Sequence, residues 1–201
     1  MHLRRITRRR VRAAAAALAA AAASLALAAP ASAHIPVFLT ADNSVLAIAD
    51  SPLVVDGTTS VAFYGRTVRP GDTRAVRIHL RAGQELHAEI LIPDVAPENT
   101  LARWQLPRLA IVSPRGQVTL LQNSERRPFF EPFTQTSYLT LGEVTRVAQD
   151  GTYSLVVVGV APARFVAVTG QVETFTAVIK NATIGTVAEV RQWYATPPSG
   201  G

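Results

Sequence analysis

Two neighbouring stretches of the sequence alternate apolar and polar residues, and this alternation restricts the fold more than any other feature of the chain. Residues 74–80 carry apolar side chains at every second position near their end, and residues 86–92 do the same. A period of two is typical of β-strands that bury one face and expose the other. We therefore predict two strands here, each with one face in a hydrophobic core.

The link between these stretches has the length of a tight hairpin loop. With Gly83 in the left-handed conformation, a three-residue loop places Leu80 opposite Gln84 on the neighbouring strand. Both apolar sets then share one face of the hairpin, while His79 and His87 lie together on its polar face. The sequence thus predicts a β-hairpin with two imidazoles on its outer side.

These two histidines have two interpretations. In the predicted hairpin His79 lies opposite Glu85, and His87 lies diagonally from it within reach of its side chain. Two imidazoles in that arrangement can bind one metal ion. Strand faces in solvent, however, commonly carry pairs of His, Glu and Arg side chains that bind no metal, and we favour this second interpretation.

Short apolar stretches bounded by turn residues continue through most of the chain. About nine strands follow one another at intervals of roughly 8 to 15 residues, without helices between them. This spacing predicts an all-β fold, a two-sheet β-sandwich that resembles a jelly roll, over residues 34–172. The predicted strands include residues 45–49, 138–141 and 144–148.

Residues 1–33 have the composition of an export signal. Residues 1–12 contain six arginines and no acidic residue, an alanine- and leucine-rich segment follows, and Ala31-Ser32-Ala33 fits the small-residue site of signal peptidase. A membrane anchor is the alternative, but alanine is only weakly apolar and the cleavage site follows at once. We predict cleavage after Ala33 and a secreted or cell-envelope location.

Removal of this segment changes the electrostatic character of the chain. The whole sequence has a formal charge of +6, whereas the 168 residues from His34 onward carry 14 basic and 14 acidic side chains. A neutral chain gives no reason to expect a nucleic-acid partner. There is no cysteine, so a disulfide framework and thiolate chemistry are excluded.

A stretch rich in arginine, proline and phenylalanine, residues 126–133, interrupts the strand pattern and is predicted to be a loop. One interpretation is a ligand-contact loop, because arginine binds anions and aromatic rings contact sugars or protein partners. The other, which we favour, is a connection that buried phenylalanines anchor to the sandwich, with Glu131 capping or pairing locally. The candidate ligand contacts are Arg126, Arg127, Phe129, Phe130, Glu131 and Phe133.

The period changes at the C-terminal end of the chain. Apolar residues in the segment 173–195 recur at three- and four-residue spacing, which predicts an amphipathic helix. Its charged residues make it too polar to span a bilayer. We expect it to pack on the sandwich, and peripheral contact with a membrane or a partner is the alternative. Residues 196–201 are predicted to form a disordered tail.

Three motifs resemble the turns of the bacterial pre-peptidase C-terminal type of β-sandwich. They are Pro70-Gly71-Asp72, Ala82-Gly83-Gln84 and Asp150-Gly151-Thr152-Tyr153. Since these residues specify turns, the resemblance implies a sandwich fold and no activity.

Most of residues 33–195 also resembles an uncharacterised family of exported bacterial proteins with a similar sandwich. That resemblance implies no activity either. In such relatives the C-terminal segment is usually more apolar and indicates membrane anchoring, from which this chain departs. The residues that carry the likeness are Ala33-His34-Ile35-Pro36-Val37-Phe38, Phe63-Tyr64-Gly65, Glu131-Pro132-Phe133 with Tyr138, Gly170 before Glu173-Thr174-Phe175-Thr176, and Val190-Arg191-Gln192-Trp193.

No catalytic motif is present in the sequence. It lacks G-x-S-x-G, H-E-x-x-H, a P-loop and Gly-x-Gly fingerprints. We therefore predict an exported non-catalytic module, without a cofactor, that binds an envelope glycan or a protein partner or serves a structural role.

The alternative hypothesis is a copper-binding protein. Cleavage after Ala33 makes His34 the new N-terminal residue, whose α-amine and imidazole can chelate Cu(II) in a tetragonal geometry. His79 or His87 would supply a further ligand. The candidate metal ligands are therefore His34, His79 and His87.

Overall fold

The computed structural model describes residues 34–39, 45–174 and 176–198, so the predicted signal segment 1–33 and residues 199–201 lie outside the described residues. Twelve strands and one α-helix are formed within them. In chain order these are β1 (Ile35–Phe38), β2 (Leu53–Val54), β3 (Val61–Thr67), β4 (Thr73–Leu80), β5 (Glu85–Pro93), β6 (Arg108–Val112), β7 (Val118–Leu120), β8 (Arg127–Glu131), β9 (Thr136–Val147), β10 (Gly151–Val158), β11 (Ala163–Thr169), β12 (Ile179–Lys180) and α1 (Val187–Ala195).

The strands lie in two six-stranded sheets, which confirms the predicted two-sheet β-sandwich. The first sheet has the order β1-β3-β11-β5-β9-β8, and the second has the order β12-β2-β4-β10-β6-β7. The pairs β1 with β3 and β2 with β4 are parallel, and the other strand pairs are antiparallel. Consecutive strands therefore alternate between the sheets in several places instead of pairing with each other.

The core lies between the sheets and is formed by the alternating apolar residues. Ile78 and Leu80 of β4 are fully buried, and so are Leu86 and Ile90 of β5. All four belong to one apolar cluster that both sheets share. Burial of each such side chain contributes roughly 1.5–3 kcal/mol to folding, so the alternation predicted from sequence directs the packing of the two sheets.

The predicted hairpin between β4 and β5 is wrong, although the turn itself forms. Gly83 has a left-handed φ of 87°, and the Gln84 amide donates to the Arg81 carbonyl at 3.1 Å. The strands it joins, however, lie in different sheets: β4 pairs with β10 and β2, whereas β5 pairs with β11 and β9. A hairpin and two strands in facing sheets bury the same alternating residues, so the sequence pattern does not distinguish the two arrangements.

Two further predictions about strands are wrong. Residues 45–49 form a 3₁₀ helix (Val45–Asp50) instead of a strand, and the Ser51 amide and hydroxyl close it by donating to the Ile48 carbonyl. Residues 138–141 and 144–148 belong to one long strand, β9, whose register with β5 shifts between Ile90 and Leu91. A β-bulge in mid-strand reverses the alternation locally, so the sequence reads as two short strands.

The predicted C-terminal helix is much shorter than the segment 173–195. Within the described part of this segment only Val187–Ala195 is helical, and Ile179–Lys180 forms β12 at the edge of the second sheet. Asn181 has a φ of 58°, which a right-handed α-helix does not accommodate. The helix begins where Thr186 and Glu189 form a capping box, with each side chain accepting from the other residue's backbone amide. No described helix is long and apolar enough to cross a membrane.

A buried ion pair joins the first sheet to the loop after β5. The Arg164 guanidinium, on β11, donates to both carboxylate oxygens of Glu98 at 2.6 and 2.8 Å. Glu98 also accepts from the Arg164 backbone amide at 2.8 Å. Arg164 donates further to the carbonyls of Ala96 and Tyr194. Since both side chains are almost fully buried, each charge depends on the other for its solvation.

We predict that Glu98→Gln lowers the free energy of unfolding by about 3–5 kcal/mol, because it leaves the Arg164 charge buried without a counter-charge. The measurement is equilibrium unfolding in urea. Arg69→Ala is the matched control: it removes an ion pair with Asp72 in which the Arg69 side chain is 82% exposed, and such pairs contribute less than about 1 kcal/mol. Equal losses for the two variants would contradict the prediction.

Candidate functional site

The outer face of the first sheet is divided into an apolar half and a polar half. Helix α1 covers the apolar half, where Tyr64 and Trp193 pack edge to face with ring centroids 5.1 Å apart. Tyr194 packs on Tyr138 in the same way at 5.5 Å and donates its hydroxyl to the Ser137 carbonyl at 2.7 Å. The remaining buried members of this cluster are Ala62, Leu91, Val166, Val168 and Val190.

The polar half is an open cleft with a volume of about 240 Å³. It is formed at the end of the sheet where β1, β3 and β5 begin and β11 ends. We call it the histidine cleft. Its lining residues are His34, Ser60, His87, Glu89, Arg127, Phe129, Glu143, Gly170, Gln171 and Glu173.

His34 reaches this cleft because β1 pairs in parallel with β3. Ile35 lies opposite Val61, and its amide donates to the Ser60 carbonyl at 3.1 Å. This pairing brings the residue before β1 beside the residue before β3. The imidazole Nδ1 of His34 forms a hydrogen bond with the Ser60 hydroxyl, so the ring is held against the floor of the cleft.

His87 lies on the outer face of β5 and is only 5% exposed. Its Nδ1 is 3.1 Å from the Thr145 hydroxyl and 3.3 Å from the Gln171 amide nitrogen. With the Gln171 amide nitrogen as the donor, Nδ1 accepts, which corresponds to a neutral ring that carries its proton on Nε2. A carboxylate oxygen of Glu143 lies 3.8 Å from the same Nδ1.

The β-bulge in β9 places Glu143 in the cleft. Before the bulge Thr140 lies opposite Leu91, and after it Glu143 lies opposite Glu89. The extra residue reverses the alternation, so both Thr140 and Glu143 point outward although their numbers differ in parity. Without the bulge the Glu143 side chain would point into the core.

Carboxylates outnumber cations in the cleft. Arg127 donates to Glu143 at 2.8 Å and lies 3.9 Å from Glu89 and 3.6 Å from Glu125. Glu89 accepts from the Thr140 hydroxyl at 2.6 Å. Glu173 adds a further carboxyl group to the lining. One guanidinium therefore faces several carboxyl groups, and the field in the cleft favours ligands that are neutral or positively charged.

Burial changes the protonation of the cleft. Burial lowers the pKa of His34, while the Glu173 carboxylate opposes this change and His87 adds to it. Burial also lowers the pKa of His87 against the opposing charges of Glu143 and Glu85. Burial raises the pKa of Glu89, and the hydrogen bond from Thr140 opposes it. Both imidazoles are therefore neutral at pH 7.

The structure places the candidate ligand contacts predicted in residues 126–133 in different parts of the molecule. Residues 126–133 are not a loop, because residues 127–131 form β8 and pair with β9. Arg127 and Phe129 share the outer face with the histidine cleft. Arg126 instead donates to the Asn99 and Leu101 carbonyls.

The other candidates of this segment lie outside the cleft. Glu131 accepts from the Phe133 amide at 2.9 Å within the β8–β9 turn, as the structural interpretation expects, and burial raises its pKa. Phe130 and Phe133 are 54% and 48% exposed, so they are not the buried anchors that this interpretation requires.

The predicted pairing of His79 with His87 is wrong. His79 belongs to β4 in the second sheet and lies opposite Thr152, whereas His87 belongs to the first sheet. His34, not His79, shares a cleft with His87. Among the described residues, no group of three or more His, Cys, Asp or Glu side chains is arranged to hold a metal ion.

The sequence does not predict that Ser60, Glu143, Gln171 and Glu173 belong to the site. They come together only through strand pairing between distant segments. One local signal exists: a glycine inside a strand pattern, here Gly142, indicates a bulge, and a bulge redirects the residues after it.

Comparison with known proteins identifies similar folds only. No family model matches the chain, and no curated protein matches it. Solved structures that are similar include Salmonella Typhimurium PliG, a periplasmic lysozyme inhibitor of g-type lysozyme (TM-score 0.35, 13% identity, 69% of this chain and 98% of that chain). Aeromonas hydrophila PliG, with the same description, has a TM-score of 0.34 and 14% identity over 59% of this chain and 97% of that chain.

A pre-peptidase C-terminal domain is also similar, the class whose turns the sequence resembles. This domain of Bacillus anthracis collagenase has a TM-score of 0.35 and 11% identity over 59% of this chain and 90% of that chain. Scores and identities this low transfer no activity and no partner.

We predict that the pKa values of His34 and His87 in the folded protein lie below 6.5, the ordinary pKa of a histidine side chain. The unfolded chain then binds more protons than the folded protein as the pH falls through about 6.5, so the free energy of unfolding decreases between about pH 7.5 and about pH 6. NMR titration of the imidazole carbons measures the two pKa values, and urea unfolding measures stability.

The control is the double variant His34→Gln/His87→Gln, which should flatten this part of the stability profile. Unchanged pH dependence in the double variant, or midpoints at or above the reference value, would contradict the prediction.

Proposed function

We propose that the protein is an exported, non-catalytic binding module of the cell envelope or extracellular space, and that a glycan binds in the histidine cleft. The observation that carries this proposal is the convergence of imidazole, carboxyl, guanidinium and amide groups on one open cleft, from strands β5, β8 and β9 and from the residues next to β1 and β11. The packed face under α1 gives these groups a rigid support. Convergent polar groups on a rigid scaffold are typical of small-ligand sites.

Ser60 is not placed to act as a nucleophile. His34 forms a hydrogen bond with the Ser60 hydroxyl, and a hydroxyl paired with an imidazole is the arrangement that nucleophilic catalysis requires. Ser60, however, is 1% exposed, so a substrate carbonyl has no access to its oxygen. Its hydrogen bond instead fixes the position of the His34 ring.

The size and lining of the cleft favour a glycan over a protein partner. A stable protein interface is broad and buries about 800 Å² on each side, whereas the polar groups here converge on one concave cleft, the shape that small ligands occupy. Glu143, Gln171 and Arg127 present acceptors and donors that match sugar hydroxyl and amide groups. The half-buried Phe129 ring adds an apolar surface at the side. The excess of carboxyl groups favours a neutral or amino sugar over an acidic one.

We predict that a neutral N-acetylglucosamine trisaccharide binds here and that Glu143→Gln weakens its binding about tenfold or more, since hydrogen bonds to charged groups contribute roughly 1.5–3 kcal/mol. Isothermal titration calorimetry measures the Kd, and NMR shift mapping locates the contact. Asp150→Asn, in an exposed turn between β9 and β10, is the charge-matched control and should bind as the unmodified protein does.

Two results would overturn this proposal. The first is the absence of NMR shifts at His34, His87 and Gln171 with the neutral glycan. The second is a stoichiometric complex with a protein whose footprint covers the cleft, which would assign the site to a protein partner.

We propose copper binding as the second candidate function, because His34 and His87 line the same cleft. In a chain cleaved after Ala33, the α-amine and imidazole of His34 and the imidazole of His87 would supply three nitrogen ligands, a set that Cu(II) accepts.

The test is Cu(II) titration of the protein that begins at His34, followed by electron paramagnetic resonance. We expect at least about tenfold weaker binding when one alanine precedes His34, and a similar loss in His87→Gln, because each change removes one nitrogen ligand. His79→Gln is the control, since His79 lies on the other sheet. Binding that is indifferent to the added alanine would remove the hypothesis.

A further inference from the structure

A second and larger cleft lies at the edge of the second sheet. Its volume is about 480 Å³, within the range of small-molecule sites. Strands β6 and β7 and the 3₁₀ helix Arg103–Gln105 form its walls. It shares no residue with the histidine cleft. We call it the tryptophan cleft, and the lining residues used below are Arg103, Trp104, Arg108, Leu120 and Asn123.

Trp104 is held in solvent by a well-anchored turn. Its side chain is 68% exposed, while Leu106, two residues later, is 1% exposed. The Gln105 amide donates to the Ala102 carbonyl at 2.8 Å, and the Gln105 side chain accepts from the Ala102 amide at 2.9 Å. Arg126 holds the Leu101 carbonyl on the other side. A large aromatic ring fixed in an exposed position is a ready-made stacking surface.

The tryptophan cleft is positively charged. Arg103 and Arg108 line it, and no carboxyl group does. Within the described part of the chain, neither guanidinium forms an ion pair with an Asp or Glu side chain. This arrangement contrasts with Arg127, which three glutamates surround. Two unpaired guanidiniums beside one ring favour an anion, which arginine binds through paired hydrogen bonds.

A buried amide in the same cleft also lacks a partner. Asn123 donates through Nδ2 to the Pro107 carbonyl at 2.8 Å, but its Oδ1 is buried and accepts no hydrogen bond. Because this oxygen is not exposed to solvent, a ligand in the open cleft does not reach it. The role of Asn123 here is to hold the Pro107 carbonyl at the wall of the cleft.

We propose that the tryptophan cleft binds an anionic oligosaccharide. A sugar ring stacks on Trp104, and its carboxylate group accepts from Arg103 and Arg108. Leu120, exposed at the side of the cleft, contacts the apolar edge of the next ring. This site is independent of the histidine cleft, whose carboxyl groups select against anionic sugars.

The test uses a trigalacturonate, with a neutral trisaccharide of equal length as the comparison probe. Trp193 is 6% exposed, so a ligand in this cleft changes the fluorescence of Trp104 selectively. We expect the trigalacturonate to change this fluorescence and to bind more weakly as salt increases. Arg103→Gln and Arg108→Gln should each raise the Kd about tenfold, because each removes hydrogen bonds to a charged group. Trp104→Ala should weaken binding measured by calorimetry.

Arg115→Gln, in the exposed turn after β6, is the matched control. It removes one charge outside the cleft, so the Kd should stay unchanged. Circular dichroism checks that each variant is folded. The proposal is overturned if trigalacturonate leaves Trp104 fluorescence unchanged, if the neutral trisaccharide binds this cleft equally well, or if all three arginine variants lose affinity equally. The proposal for the histidine cleft is tested separately, by NMR shifts at that cleft with the neutral glycan. Either proposal can therefore fail while the other holds.

Discussion

The buried pair of Arg164 and Glu98 is the interaction on which the rest of the outer face depends. Arg164 stands on β11, near the centre of the first sheet, and its guanidinium contacts the loop after β5 and the carbonyl of Tyr194. One charged group therefore ties together the sheet, a loop and the last turn of α1. A buried charge tolerates no loss of its partner, so these three elements hold a single arrangement.

The position of α1 decides which part of this face can bind a ligand. Trp193 and Val190 cover the apolar half of the outer face, and the helix is only nine residues long. The half that it leaves open contains the histidine cleft, with Phe129 at the boundary because it contacts both the apolar cluster and the cleft. The division of the face into a packed half and an open half thus follows from the short length of the helix.

The sequence pattern predicts which residues of the sandwich point into the core. It does not predict which of the two sheets each strand joins. Alternation through Ile78 and Ile90 indicates which side chains enter the core, because burial has the same period as the strand. It cannot tell a hairpin from two strands in facing sheets, since both bury the same side chains. The prediction about His79 failed for this reason. The meeting of His34 with His87 depends on the parallel pairing of β1 with β3, for which no local pattern exists.

The charge distribution carries information that the formal charge conceals. Residues 34–201 are formally neutral, and neutrality alone argues against a strongly charged partner. Yet the carboxyl groups of Glu89 and Glu143 gather around Arg127 on the first sheet, while Arg103 and Arg108 line a cleft at the edge of the second sheet without carboxylates. Exposed charges act over about one Debye length, roughly 8 Å at physiological salt, so the charges nearest to each cleft dominate its field. A formally neutral chain can therefore carry opposite charge at two clefts, and its net charge predicts neither.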